Sequence, residues 1–164
     1  MPPAAIDPAT FRSVLGRFAS GVTVVTVRAI QHYDHGMTVT AFCSVSLEPP
    51  LVQVCIGKAA SLHDVLGSGD TASHFAVNIL NSKQEALARR FAEEHPDRFD
   101  CVGFTRGVTG APIIDDCLNA IECKVLARHI AGDHTIVIGT VIATTENEGS
   151  PLLYYRGGYA SLER

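Results

Sequence analysis

The chain has 164 residues, 46% of them apolar and 18% charged, and carries a formal net charge of −4 at pH 7. That size and balance describe one globular domain, residues 1–164, with room for a real hydrophobic core. The acidic excess gives no general attraction to nucleic acid or to an anionic membrane. No apolar run approaches the ~20 residues that a membrane-spanning helix needs, and residues 1–7 lack the charged head and apolar core of an export signal. The five cysteines are odd in number and show no C-x-x-C spacing. They read as reduced thiols in a cytoplasmic protein, not as a disulfide framework or a zinc knuckle.

Asp7 followed by Pro8 is a helix start, a side-chain cap with proline in the first turn. Phe11, Val14, Leu15 and Phe18 recur at i, i+3, i+4 and i+7, one apolar stripe of a helix that Gly21 ends. Residues 21–27 (GVTVVTV) are dense in β-branched side chains and predict the first strand. The polar stretch 28–36, which holds His32, Tyr33 and His35, predicts a turn between paired strands. Strands follow at 38–46 and 51–56, then a short helix at 61–67 with Ser61 capping and Gly67 stopping it. Residues 75–80 (FAVNIL) predict a strand, and 82–93 a helix that turns Leu87 and Phe91 inward. Residues 95–112 mix polarity with glycine and proline and are expected to wrap the surface.

In 119–129, Ile121, Cys123, Val125 and Ala127 alternate with Glu122, Lys124 and Arg128, so one face is apolar and the other solvated. A matching strand at 135–144 is expected to pair with it across a short loop, 130–134, and 152–155 to form a last short strand. Many strands, few helices and no βαβ alternation indicate a mainly β fold with helical additions, an antiparallel barrel.

Several chemistries are missing. There is no G-x-G-x-x-G after a strand, no phosphate loop and no G-x-S-x-G elbow. His32 and His35 form an H-x-x-H, but in a loop and without a third ligand, so no metal site is expected.

What remains is suited to binding. Along 36–52, Thr38, Thr40, Ser44 and Ser46 alternate with apolar residues and would form a narrow hydroxyl row open to a flat, polar-edged molecule. The same alternation also decorates ordinary exposed sheets. Residues 55–62 (CIGKAASL) leave a strand through small residues and enter a helix, where Lys58 and a capping Ser61 suit an anion; a plain cap beside a solvated lysine would look the same. Gly132-Asp133 is turn chemistry, and His134 after it can donate hydrogen bonds and titrate near neutrality. Tyr155 and Tyr159 could stack on a ring and Arg156 meet a phosphate, or all three could be strand-end packing.

The run T-V-T-A-F-C-S-V-S-L-E-P-P at 38–50 resembles the flavin reductase-like family, small NAD(P)H-dependent reductases built on an antiparallel, FMN-binding split β-barrel. So do 18–26, the strand-helix pair from 75 to 91, 132–135 and 151–159, in the family's order and over nearly the whole chain. The resemblance implies an NAD(P)H:flavin oxidoreductase that uses FMN or FAD, takes hydride from NADH (or NADPH), forms a homodimer and supplies a separate monooxygenase component. It places Thr38, Val39, Thr40, Ala41 and Ser44 at the pyrimidine edge of the flavin, with Cys55, Ile56, Lys58, Ser61 and Leu62 along its ribityl-phosphate tail. Asn81, Ser82 and Arg89 would complete that grip. Asp133 and His134 fall at the nicotinamide side, His134 as the catalytic group, with Tyr155, Arg156 and Tyr159 beside them.

Two features depart from the family pattern. Glu48 stands where many members have Asp, and the loop with His32, Tyr33 and His35 is longer and more polar. No arginine pair marks a 2′-phosphate, which leans toward NADH. Two other readings keep the flavin. One passes electrons to a corrinoid, quinone or nitro compound, and the other is a non-catalytic flavin or haem carrier. The neighbouring pyridoxamine-phosphate oxidase-like barrels fit less well, because of the GDH and YYRGGY segments.

Overall fold

The computed structural model describes residues 5–68 and 72–162. Its first element is helix α1 (Pro8–Leu15), capped by Asp7, whose carboxylate accepts the Thr10 N–H at 2.9 Å. The helix stops at Gly16, well short of Gly21, and buries none of its residues. Phe11, Val14, Leu15 and, beyond the helix, Phe18 all lie exposed, Phe18 at 81%.

Strands β1 (Ser20–Gly21), β2 (Thr23–Arg28), β3 (Asp34–Val39), β4 (Phe42–Ser46) and β5 (Leu51–Gly57) follow, then a π-helical turn (His63–Gly67), β6 (His74–Ile79) and helix α2 (Glu85–Ala92). The second half comprises β7 (Phe104–Arg106), β8 (Pro112–Ile114), β9 (Asn119–Ala131), β10 (His134–Glu146), β11 (Leu152–Tyr155) and β12 (Gly158–Ser161). Among the described residues no helix is long and apolar enough to cross a membrane.

The main sheet is antiparallel throughout, in the order β3-β2-β6-β9-β10-β5-β4. β3 and β4 are consecutive in the chain yet lie at opposite edges of that sheet. The chain passes from one edge to the other at Thr40–Ala41, which curls the sheet into a split barrel. The single strand expected over 38–46 is therefore two strands. The hydroxyl row is broken with it, and a bulge between Ser44 and Ser46 disturbs it again. Each edge strand pairs with its neighbour in the chain, β3 with β2 and β4 with β5, and the alternation runs on unbroken from one edge to the other, so it carries no sign of the break.

β2 is buried on both faces. Val25 and Val27 join Val54, Ile56, Phe75 and Val137 inside the barrel. Val24, with Val22 before the strand, packs outside under Leu80, Phe91 and Leu152. That two-sided burial explains an almost unbroken apolar run where a solvated sheet would alternate. α2 covers the outer cluster through Ala88 and Phe91, beginning at Glu85, three residues later than expected.

Other elements differ from expectation. Residues 95–112 include half of a two-stranded hairpin, β7–β8, tied to β3 where Arg106 Nη2 donates to Asp34 Oδ2 at 2.8 Å. His35 belongs to β3, not to a loop. Glu122, expected on a solvated face, is buried, because its carboxylate accepts the Thr109 N–H and hydroxyl at 2.8 and 2.7 Å. β12 was not expected; it returns from β11 through Arg156 and Gly157, both at positive φ (51° and 80°), the pattern of a type I′ hairpin turn.

Asn78 is fully buried, with Nδ2 donating to the Val24 carbonyl at 3.1 Å and Oδ1 accepting the Ile114 N–H at 2.9 Å. Asn78→Ala strands both backbone groups and is expected to cost about 1–3 kcal/mol, read as a lower urea midpoint at unchanged m. Burial pushes the Cys117 thiol up to about 11 and the Cys123 thiol up to about 12. Both stay protonated when folded but ionise near 9.0 once unfolded, so the stability they contribute is complete below that value and lost as the pH rises above it. Iodoacetamide at about pH 8 should label the exposed Cys43 and Cys101 at once, and Cys117 and Cys123 only as fast as the chain opens.

Candidate functional site

The pairing of β10 with β5 sets His134 opposite Gly57 and Thr135 opposite Ile56. The turn that starts β10 is thereby held against the exit of β5. It is a two-residue turn, Ala131 facing His134, with Gly132 at φ +62° in the position where a type II′ turn requires glycine. Lys58 fastens it twice, its N–H donating to the Asp133 carbonyl at 2.9 Å and its Nζ to the Gly132 carbonyl at 2.7 Å.

Asp133 Oδ1 lies 2.7 Å from His134 Nδ1. The hydrogen bond and charge of His134, with a smaller pull from Lys58, hold the Asp133 carboxyl below its ordinary value. An ionised carboxylate only accepts, so Nδ1 carries the hydrogen and Nε2 is left for a ligand. Nε2 accepts when the ring is neutral and donates when it is protonated. A Cβ on Gly57 would sit 3.5 Å from Nε2, so glycine keeps that flank of the ring open.

The chain break supplies a second set of groups. Among the described residues the Thr40 and Ala41 N–H groups donate to nothing, while the Ala41 carbonyl accepts Cys55 N–H at 3.0 Å. These bare donors stand on partly and fully exposed residues, next to β5. Ser44 is exposed on the edge strand β4. Thr38 faces elsewhere: its hydroxyl donates to the Ala88 carbonyl of α2 at 2.7 Å. Val39, Ile56 and Leu62 are buried in the barrel core, so they shape the wall and offer no side chain to a ligand. Cys55 is half-buried, its thiol pushed up by burial and by nearby Cys43.

The segment 55–62, where an anion was expected to bind, is wired differently than expected. The Ser61 N–H donates to Glu94 Oε1 at 3.2 Å, and Glu94 Oε2 pairs with Arg98 Nη2 at 2.8 Å. Sequence reasoning missed Glu94 and Arg98; the only local signal is their i, i+4 spacing. Asn81 is consumed by its own turn, Oδ1 accepting the Lys83 N–H at 2.8 Å and Nδ2 donating to Asp116, while the Ser82 N–H donates to Ser150.

Arg89 donates through Nε and Nη2 to Glu85 at 2.9 and 2.7 Å and lies 4.9 Å from the centroid of the Tyr159 ring. Tyr159 in turn meets Tyr154 edge to face at 5.4 Å. Tyr155 and Arg156 are exposed at the neighbouring hairpin, where the Arg156 N–H donates to Gly16 at 2.7 Å.

Two groups of predicted residues come together. Lys58, Asp133 and His134 come together beside Cys55 and the Thr40–Ala41 donors. Arg89 and Tyr159 come together on α2 and β12. Among the described residues no hydrogen bond or ion pair joins the two groups. The first group contains no activated nucleophile. It offers hydrogen bonds, a histidine fixed at one nitrogen and an ammonium, which can bind and orient a ligand that brings its own reactivity.

Comparison with known proteins agrees with this chemistry. A family model described as flavin reductase like domain matches residues 15–163. The reductase subunit HsaB of a flavin-dependent monooxygenase from Mycobacterium tuberculosis is 39% identical over 165 residues, covering 98% of this chain and 85% of that protein. An NADH-dependent flavin reductase from Rhodococcus sp is 41% identical over 162 residues, covering 96% and 88%. Among solved structures, the NADH:FAD oxidoreductase SgcE6 of Streptomyces globisporus, in complex with NAD and FAD fragments, superposes with a TM-score of 0.89 at 38% identity, covering 97% of this chain and 96% of that one. The chain belongs to the flavin reductase like family.

Proposed function

We propose that the chain is an NAD(P)H:flavin oxidoreductase that uses NADH to reduce FMN or FAD and delivers the reduced flavin to a separate monooxygenase. The observation that carries this reading is the His134 clamp, a ring fixed by Asp133 and stapled by Lys58 beside unpaired backbone donors. Relatives named as NADH-dependent flavin reductase and as a monooxygenase reductase subunit support it.

The flavin, when bound, supplies the redox chemistry by accepting a hydride. The protein's own part is placement. The Thr40 and Ala41 N–H groups and the Ser44 hydroxyl meet the polar edge of the ring, where negative charge gathers on reduction. Lys58 and Ser61 serve the phosphate end. His134 Nε2 meets the nicotinamide carboxamide, accepting from its amide or donating to its oxygen according to the ring's charge. Residues 1–164 act as one domain, and the five free thiols suit a reducing cytoplasm.

The same reading makes the active form a homodimer. α1 presents Phe11, Val14 and Leu15 to solvent, Phe18 follows, and Leu47 beside the edge strand β4 is 90% exposed. An apolar surface of this kind and an open sheet edge need cover. The second copy brings Arg89, Tyr155, Arg156 and Tyr159 to the site that a single chain leaves incomplete.

The direct test is steady-state oxidation of NADH and NADPH with FMN, FAD and riboflavin supplied in turn; activity with no flavin–nicotinamide pair sinks the reading. His134→Ala should raise the KM for NADH about tenfold and leave the flavin Kd within about twofold, since it removes one hydrogen bond to the nicotinamide alone. Sedimentation velocity should give a dimer that Leu15→Glu converts to monomer; a wild-type monomer removes the shared site.

A further inference from the structure

Glu94 lies just beyond α2, which ends at an extended Glu93 cap, and its side chain is 59% exposed. Its partner is the opposite case. Arg98 is only 6% exposed, Nη1 is anchored on the Gly36 carbonyl at 2.6 Å, and its buried Nε has no partner among the described residues. A guanidinium so deeply buried needs an anion beside it, because an unpaired charge there is strongly destabilising. At present Glu94 is that anion. Its two oxygens are divided between Arg98 Nη2 and the Ser61 N–H. Burial alone would push the Glu94 carboxyl up, but hydrogen bonds from the Ser61 hydroxyl and N–H and from Arg98 hold it below its ordinary value.

Beside this cluster is a hollow of about 550 Å³ lined by Gln31, Tyr33, His35, Ser61, Glu94 and Arg98. Asp34, on the same hollow, is already paired with Arg106. Two fixed donor groups, a buried guanidinium and a backbone N–H, are therefore spanned by one solvent-exposed carboxylate. A phosphate has the charge and the oxygens to take both. It cannot share them with Glu94, because two anions at that distance repel.

We propose that Glu94 is a resident competitor for the terminal phosphate of the flavin, displaced from Ser61 and Arg98 when a flavin nucleotide binds and returning as it leaves. This rests on the flavin reading above and adds to it a residue that sets how tightly phosphorylated flavins are held. The carboxylate pairs the Arg98 charge when no flavin is bound and lowers the net gain from binding, which suits a flavin that has to depart after reduction. Riboflavin, without the phosphate, does not meet the competitor.

The test compares wild type with Glu94→Gln, using FMN, riboflavin and inorganic phosphate as probes. FMN should bind about tenfold more tightly to the variant and riboflavin equally to both, the scale of one charge-assisted contact. Inorganic phosphate should raise the Tm of the variant and not of wild type, a readout that needs no flavin and, being a rise in Tm on adding phosphate, still reports if the variant is weakly folded. Unchanged or weaker FMN binding, with riboflavin unmoved, overturns the competitor while the flavin reading stands. If wild type binds neither FMN nor riboflavin, both fall.

Discussion

The register of β10 against its two neighbours is the constraint on which the rest depends. β10 pairs with β9 along its whole length and with β5 over its first half, from His134 to Thr140. Side-chain direction alternates along a strand, so a slip of one residue would bring the core set Thr135, Val137 and Gly139 out of the barrel and His134 into it. The same ladder that buries the core therefore aims the histidine. The tight Gly132–Asp133 turn adds to this, because a two-residue loop leaves no slack for an alternative pairing.

Barrel closure and site construction are one event for a similar reason. The ladder is irregular at Ile138–Gly139, where β10 slips against β9. Gly139 lets Phe75 approach so closely that a Cβ there would come within 2.6 Å of its ring. A bulge increases local twist, and twist carries β5 and β4 round toward β3. Once the edges approach, the connection between β3 and β4 has to leave both ladders, and Thr40 and Ala41 lose the partners a strand would give them. Their unpaired N–H groups are a by-product of topology placed where a ligand can use them.

Much of the fold was legible in sequence wherever the cause is local. Asp7 with Pro8 marks the start of α1 because capping involves only the next three residues, and β11 lies within its expected bounds. The end of α1 was not legible: the apolar stripe runs on to Phe18, but nothing in the chain packs on it, so periodicity overstated the helix. Glu122 was misplaced because its partner, Thr109, belongs to a turn elsewhere in the chain. β12 was missed because Arg156 adopts positive φ, which a non-glycine residue does not advertise. Within the site, the turn Gly132-Asp133-His134 is contiguous and could be read directly. Glu94 reaches Ser61 across 33 residues, and Arg98 reaches Gly36 across 62, distances at which spacing carries no information.

The double attachment of Lys58 to the hairpin tip makes the end of one strand and the beginning of another a single rigid ledge. Ordering a lysine and a loop after a dinucleotide arrives would consume part of the binding energy. Here that ordering is completed during folding, and the incoming molecule encounters a finished surface. If nucleotides bind there as proposed, selectivity among them depends on the shape of the ledge, with little left to adjustment after contact.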